Sequence, residues 1–294
     1  MSSEDSGNLG KSGSTGILVG LCGLMTCLLT GVFLWWAERR YGIVLYGWMH
    51  WYVIPLGAIL SGVLGASGYY AGMWIFGHKP TAPLLVWMLT TSAATFVLVH
   101  YLSYATLQVH GRQVSRLISF PRYLQIVIEN MSLRIYTNGT EAATGKLGAF
   151  GYVIAGAQVL GFALGGFAVY RIIRSKPYCD KCLRYLSRSA AQKRFTQDPE
   201  GYRAVMDDLQ HGETESAMRR YQQIGERRYR RRYIFLSTFE IRHCRGCRRE
   251  WVNFVVRWRD SRRWVVNEAT RVRGFADELR PEEPVQAQPT AIAA

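Results

Sequence analysis

Two short motifs, Cys179-Asp-Lys-Cys182 and Cys244-Arg-Gly-Cys247, decide how the C-terminal part of this chain folds. A Cys-x-x-Cys turn presents two sulfurs on the same side, and a tetrahedral Zn²⁺ ion accepts four such soft ligands. The pattern therefore predicts that Cys179, Cys182, Cys244 and Cys247 bind one structural zinc ion. Because four protein ligands leave no open coordination position, we expect this metal site to have no catalytic role.

The sequence before these motifs contains four apolar stretches that are each long enough to cross a lipid bilayer. A bilayer core of about 30 Å requires about 20 helical residues, and the first stretch, 16–36, contains no charged residue. It is longer than the apolar region of a secretory signal, which is usually about 7–15 residues long and follows a basic start. The predicted transmembrane spans are 16–36, 52–74, 84–103 and 149–170, with a kink expected at Pro55.

The predicted spans lack the residues that usually carry ions through membranes. No Asp, Glu, Lys, Arg or His occurs in most of their length, and this absence argues against ion-coupled transport. Three histidines near one predicted interface, His50, His100 and His110, could bind a metal or haem, but ordinary interfacial histidines are the simpler interpretation. The sequence contains no Gly-x-Ser-x-Gly, phosphate-binding loop or His-Glu-x-x-His motif, so no enzymatic activity is predicted.

Small residues recur at helical spacing within the predicted spans, for example Gly68 and Gly72 in the second and Gly161 and Gly165 in the fourth. Such steps let helix backbones approach closely in lipid. They predict a compact four-helix bundle. A homodimer interface built from the Gly161 step is the alternative.

The segments outside the spans differ in composition. The connection 104–148 contains an apolar stretch interrupted by charges, which predicts an interfacial helix or a small ordered cap. Residues 1–15 are rich in Ser and Gly, and residues 276–294 are rich in Pro, Glu, Gln and Ala, so both ends are predicted to be disordered. The remaining chain divides into a transmembrane domain, 16–175, and a basic soluble domain, 176–275.

The soluble domain is predicted to be α+β. A helix is expected from Asp198, a capping residue followed by Pro, to Gly212, and a second from about 214 to 228. The apolar period then changes to two, which predicts a strand near Phe235 to Ile241 and a returning strand over Trp251–Trp258. Gly246 is expected to supply positive φ in the turn between them.

A strand, a Cys-x-x-Cys turn and a returning strand resemble one half of a zinc ribbon. The resemblance covers 179–182 and about 233–258, and it implies a structural ion held by the four cysteine thiolates. The sequence departs from the zinc-ribbon pattern in two ways. Neither motif has glycine directly after its second cysteine, and the two motifs lie farther apart than the usual 15–20 residues. A helical insertion between the motifs accounts for the longer separation.

The cysteines have two further interpretations. An isolated Cys-x-x-Cys pair can act as a redox dithiol, so a membrane-bound thiol–disulfide protein is the alternative function. An exported tail would instead form disulfides. The predicted fold class is a mainly α membrane protein with four transmembrane helices and a small α+β domain carrying a zinc-ribbon-like hairpin. Its expected role is that of an anchor, sensor or assembly module.

Positive charge is concentrated after the fourth span. The chain has a formal net charge of +15, and the segment from Arg219 to Arg263 contains fifteen arginines but only four acidic residues. A basic surface tethered to a bilayer predicts contact with anionic lipid headgroups. A protein partner or a second copy of the chain is the next most favoured partner, and nucleic acid is less favoured. Basic residues near the spans divide almost evenly between the two sides. Because reduced thiols suit the cytoplasm, we expect a bacterial-type inner-membrane protein with both termini cytoplasmic.

Overall fold

The structure, a computed structural model, divides into two compact units, Met1–Lys176 and Pro177–Ala294. The described residues are 5–50, 54–109, 111–132, 134–137, 140–143, 145–197, 200–226, 234–260, 263–266 and 271–279.

The first unit contains four helices that are long and apolar enough to cross a membrane. A helix satisfies the backbone hydrogen bonds of such an apolar segment internally, as a membrane-spanning segment must. The four long helices are α1 (Asp5–Tyr41), α2 (Leu56–Phe76), α3 (Ala82–Thr106) and α5 (Phe150–Arg174). Their candidate membrane spans are Thr15–Tyr41, Leu56–Phe76, Ala82–Thr106 and Phe150–Arg174. The four long apolar helices that the sequence predicts are present.

The connection between α3 and α5 contains short ordered elements. A short helix, α4 (Phe120–Glu129), lies between two hairpins, β1 (Gln108–Val109) with β2 (Arg112–Gln113) and β3 (Arg134–Thr137) with β4 (Thr140–Ala143). The α4 helix buries Tyr123 and Ile128, and Tyr104 Oη of α3 donates a hydrogen bond to the Ile118 carbonyl at 2.9 Å. This connection therefore contains the short helix that its apolar stretch predicts.

Small residues bring the long helices of this unit into close contact. Thr26 Oγ1 of α1 donates to the Gly65 carbonyl of α2 at 2.6 Å and accepts from the Gly68 N–H at 3.2 Å. On α5, a Cβ added at Gly161 would lie 2.8 Å from Ala58 Cβ of α2 in the same chain. The Gly161 step therefore packs inside the bundle, as the compact-bundle interpretation predicts.

Two helix starts in this unit differ from the predicted spans. The α1 helix begins at Asp5, before the predicted span at 16–36. Pro55 precedes the first residue of α2 and does not kink it. Proline is tolerated at a helix start, where its missing N–H removes no intrahelical bond.

The second unit is an antiparallel sheet with two helices on one face. Its elements are β5 (Tyr178–Cys179), β6 (Arg184–Tyr185), β7 (Ser187–Thr196), α6 (Glu200–Gln210), α7 (Thr214–Gln223), β8 (Phe235–His243), β9 (Glu250–Asp260), β10 (Arg263–Val266) and β11 (Val272–Phe275). The strand order of the sheet is β10-β9-β8-β7, and β11 also pairs with β9. A small hairpin, β5 with β6, precedes the sheet.

The helices pack their apolar stripes on aromatic residues of the sheet. Tyr221 of α7 is fully buried against Phe239 and Phe254, with ring centroids 5.2 and 6.0 Å away. Its hydroxyl donates to the Ser237 carbonyl at 3.1 Å, and burial raises the pKa of Tyr221 to about 12. This core belongs to the C-terminal unit alone, and its buried members are Tyr202, Val205, Leu209, Ala217, Tyr221, Phe239, Val252, Phe254, Val256 and Val272.

Several boundaries in this unit depart from the predictions. The two predicted strands and both helices are present, but α7 ends at Gln223 and not near 228, because Gly225 adopts φ +54° next to the Phe195–Glu226 bridge. The proposed cap at 198–199 lies outside the described residues. So does most of the terminal segment 276–294, but residues 276–279 are ordered, and Leu279 packs on the core.

We predict that Gly165→Ala destabilises the membrane bundle while Gly156→Ala, on the same helix, does not. A Cβ at Gly165 would overlap the Ile59 carbonyl of α2, whereas a Cβ at Gly156 meets nothing within 4 Å. Overpacking of this kind lowers the unfolding free energy by about 1–3 kcal/mol. Thermal unfolding of the detergent-solubilised protein, followed by tryptophan fluorescence, measures the difference. Equal midpoints for the two variants would contradict this packing.

Candidate metal centre

The four cysteines named by the two motifs converge in the structure. Their sulfurs all lie within 4.8 Å of one another, and Cys179 Sγ is 3.6 Å from Cys247 Sγ. All four are free thiols. A tetrahedral zinc site with Zn–S bonds of about 2.3 Å has sulfur–sulfur edges of about 3.8 Å. The cluster therefore has the composition and size of a group that could hold a metal ion.

Each pair of sulfurs is presented by a β-hairpin. Cys179 ends β5 and pairs with Arg184 of β6, so Cys182 lies in the turn of the first hairpin. Cys244 directly follows β8, where its N–H donates to the Arg249 carbonyl and its own carbonyl accepts from the Arg248 N–H, both at 2.9 Å. The two motifs are thus tight turns between antiparallel strands.

The register of the sheet brings the two hairpins together. Strand β7 starts directly after the first hairpin, and its first residue, Ser187, pairs with His243, which precedes Cys244. Ser187 Oγ also donates to the His243 carbonyl at 3.2 Å. Strand β7 was not predicted, because its sequence from Ser187 to Thr196 shows no apolar alternation. This strand is the structural reason that cysteines far apart in sequence meet.

Burial differs among the four thiols. Cys179 and Cys244 are 0% and 1% exposed and pack with Leu186, Trp251 and Phe275, whereas Cys247 is exposed. The first cysteine of each motif therefore lies inside a small apolar cluster, and the second cysteine of the second motif lies at its exposed edge. The contribution of Trp251 and Phe275 had no signal in the sequence beyond their apolar character.

Hydrogen bonds and burial shift the pKa values of the thiols in different directions. Burial opposes ionisation of Cys244, but the backbone N–H groups of Cys247 and Gly246 donate to its sulfur, and the pKa of Cys244 falls to about 7. Hydrogen bonds with the Cys247 and Cys244 thiols raise the pKa of Cys182 to about 12. Burial raises the pKa of Cys179. A bound cation would favour the thiolate form of all four, since metal binding releases thiol protons.

The glycine in the second motif has a different role from the one predicted. Gly246 does not adopt positive φ; that conformation occurs at Leu183, φ +50°, and Arg248, φ +59°. These two residues directly follow the second cysteine of each motif, where the sequence departs from the zinc-ribbon pattern. Gly246 is needed for space, because an added Cβ would lie 2.8 Å from Cys182 Sγ.

An arginine next to the second hairpin binds two acidic residues near the end of the described range 271–279. The Arg249 guanidinium donates to both carboxylate oxygens of Asp277 at 2.8 Å and to Glu278 at 2.9 Å, and it lies 4.1 Å from the Phe275 ring centroid. Arg249 holds the pKa of Asp277 below its usual value. These contacts explain why 276–279 are ordered. The polar composition of that segment gave no sign of it.

The histidines that could have formed a second site do not form one among the described residues. His100 is buried, with its ring 4.5 Å from Phe96 and 5.7 Å from Tyr46, while His50 forms an isolated bridge with Ile54. His110 lies outside the described residues. Within the described part of the chain, the cysteine group is the only cluster of His, Cys, Asp or Glu with metal-site geometry.

Comparison with known proteins adds no relative to this description. No protein family, no curated protein and no solved structure matches the chain. The zinc-ribbon resemblance therefore rests on the two cysteine hairpins themselves. What is established is a four-cysteine cluster in a C-terminal β region that follows four apolar helices.

We predict that Leu183→Gly stabilises the C-terminal unit. Left-handed backbone disfavours residues with a Cβ by roughly 1–2 kcal/mol, and Leu183 is 46% exposed, so little packing is lost. After the entropic cost of glycine, we expect a gain of about 0.5–1 kcal/mol. Pulse proteolysis in urea, with the C-terminal fragment monitored, reports the midpoint. Leu183→Ala keeps the Cβ and is the matched control; a stabilisation of the same size in it would contradict the explanation.

Proposed function

We propose that the chain is an integral membrane protein whose C-terminal domain is closed by a structural zinc ion. The observation that carries the proposal is the approach of four free sulfurs, within 4.8 Å, from two separate hairpins. Cys179, Cys182, Cys244 and Cys247 would hold the ion. Bound zinc would crosslink the hairpin before β7 to the hairpin after β8, and four thiolates leave it no open position for substrate.

Zinc fits this donor set better than other common ions. Magnesium and calcium prefer oxygen ligands, while four thiolates in tetrahedral array select zinc or iron. Structural zinc contributes directly to folding free energy. A domain with a modest apolar core gains most from such a crosslink. The resulting role is a membrane-anchored module for sensing or assembly, built on a rigid folded domain.

The alternative function is thiol–disulfide exchange. It is favoured by the exposure of Cys247 and by its 3.6 Å separation from Cys179, since an accessible thiol beside a second thiol can form a disulfide. This function would require the free dithiol, and zinc binding would block it. Metal content therefore separates the two functions.

We predict about one zinc per chain in the purified full-length protein, with all four thiols reduced. Cys244→Ser should remove the zinc, because the ion loses one of its four ligands. The C-terminal unit should then become sensitive to protease, because its two cysteine hairpins are no longer crosslinked. Cys22→Ser, in the membrane unit, is the matched control and should keep the metal. Elemental analysis and thiol counting provide the measurements. A metal-free protein with a reversible disulfide would reject the zinc site and support redox chemistry.

We further propose that the protein lies in a bacterial-type inner membrane with both termini in the cytoplasm. An even number of spans places the termini on the same side, and Arg171 and Arg174 at the end of α5 favour the cytoplasm. In spheroplasts of a bacterial host, protease added outside should leave a C-terminal epitope intact until the cells are lysed. Digestion of the epitope in intact spheroplasts would show that both termini lie outside the cytoplasm.

A further inference from the structure

The sheet of the C-terminal unit has two faces with different chemistry. Paired residues in an antiparallel sheet share a face, and successive residues alternate between faces. Phe239 and Phe254 form one such pair, and both are buried under α6 and α7. The neighbouring pair, Thr238 with Val255, therefore lies on the second face.

The second face is basic. Register places Lys193 opposite Thr238, Arg257 opposite Leu236, and Arg273 opposite Asn253. The only acidic side chain that the described registers place on this face is Glu240, which Arg242 holds at 2.7 Å. We call the following five residues the basic sheet face: Lys193, Arg242, Arg257, Arg259 and Arg273.

Burial leaves part of this face open to an external partner. Lys193 and Arg273 are exposed, and Arg257 and Arg259 are half-buried. In the described part of the chain, both helices of this unit contribute to the core on the opposite face. At one end of the second face, Trp251 packs with Cys179 and Leu186. Leu236 and Val255 on this face are also buried, so its exposed groups are mainly the guanidinium and ammonium groups of the basic side chains, which recognise phosphate.

The aromatic rings on this face are not arranged for nucleic acid. Single-stranded nucleic acid binds by stacking bases on open aromatic rings. Phe195 and Trp264 are half-buried, with ring centroids 6.2 Å apart, and Trp251 is buried with the Arg273 guanidinium 5.3 Å from its ring centroid. The face therefore offers positive charge without a stacking platform, which suits the phosphates of a lipid surface.

The chain connection also favours a lipid surface. The last helix ends at Arg174 and the C-terminal unit starts at Pro177, and a linker this short spans at most about 10 Å. We propose that the basic sheet face binds the anionic headgroups of the membrane in which the four helices lie. This binding depends on surface charge and not on metal at the cysteines, so the two proposals can fail separately.

The test uses the full-length protein in nanodiscs of phosphatidylcholine alone or of phosphatidylcholine with phosphatidylglycerol. An amine-acylating reagent modifies exposed lysines, and mass spectrometry gives the rate at Lys193. We expect acylation of Lys193 to be about five-fold slower or more with phosphatidylglycerol, the effect of at least one basic residue near an anionic surface. High salt should restore the rate, because it screens exposed charges.

A matched pair of variants separates docking from a general surface effect. Arg273→Glu, on the basic sheet face, should restore fast acylation of Lys193 in phosphatidylglycerol nanodiscs. Arg203→Glu, an equal charge change at an exposed position of α6, should leave Lys193 protected. If the slow rate came only from lower pH at an anionic surface, it would persist in both variants and the proposal would fail.

Two other results would overturn the proposal. Equal acylation rates in the two lipids would show that the face does not dock. Protection of Lys193 by a single-stranded oligonucleotide in phosphatidylcholine nanodiscs, without protection by phosphatidylglycerol, would assign the face to nucleic acid. If Arg273→Glu fails to fold, Arg273→Gln replaces it in the same comparison, with Arg203→Gln as its matched control.

Discussion

The C-terminal unit depends on the meeting of four thiols from two hairpins. Strand β7 leaves the first hairpin and pairs with β8, which leads into the second, so sheet register and sulfur cluster determine each other. A one-residue slip between β7 and β8 would turn every side chain of β7 to the opposite face. It would also separate Cys182 from Cys244. The cluster and the helix-covered core therefore stabilise the same pairing.

The two units differ in where their large apolar side chains lie. In the first unit, large apolar residues such as Leu21, Leu60 and Leu160 remain on the outer surface, as expected of helices apolar enough to cross a membrane, and contacts between helices use glycine and threonine. In the C-terminal unit, aromatic residues such as Tyr221 and Phe239 fill the interior, because burial from water drives its folding. The cysteine cluster has its own apolar surroundings at Trp251 and Leu186.

Particular residues show where sequence reasoning was sufficient. The cysteine spacing identified all four members of the cluster, and the change of period from helix to strand located β8 and β9. Gly246 was assigned the wrong role, since a glycine in a turn can supply either positive φ or space, and only the approach of Cys182 shows which. The strained conformations at Leu183 and Arg248 were not predicted, because non-glycine residues rarely adopt them.

The sequence by itself determined the four apolar helices and the identity of the clustered cysteines, because these depend on composition, length and short-range spacing. Tertiary structure alone decided the existence of β7, the ordering of 276–279 by Arg249, and the separation of the sheet into a covered face and a basic face. Each of these depends on contacts between residues distant in sequence. The sequence around Ser187 does not indicate its pairing with His243, and the sequence around Asp277 does not indicate its contact with Arg249. Only the three-dimensional structure shows these partners.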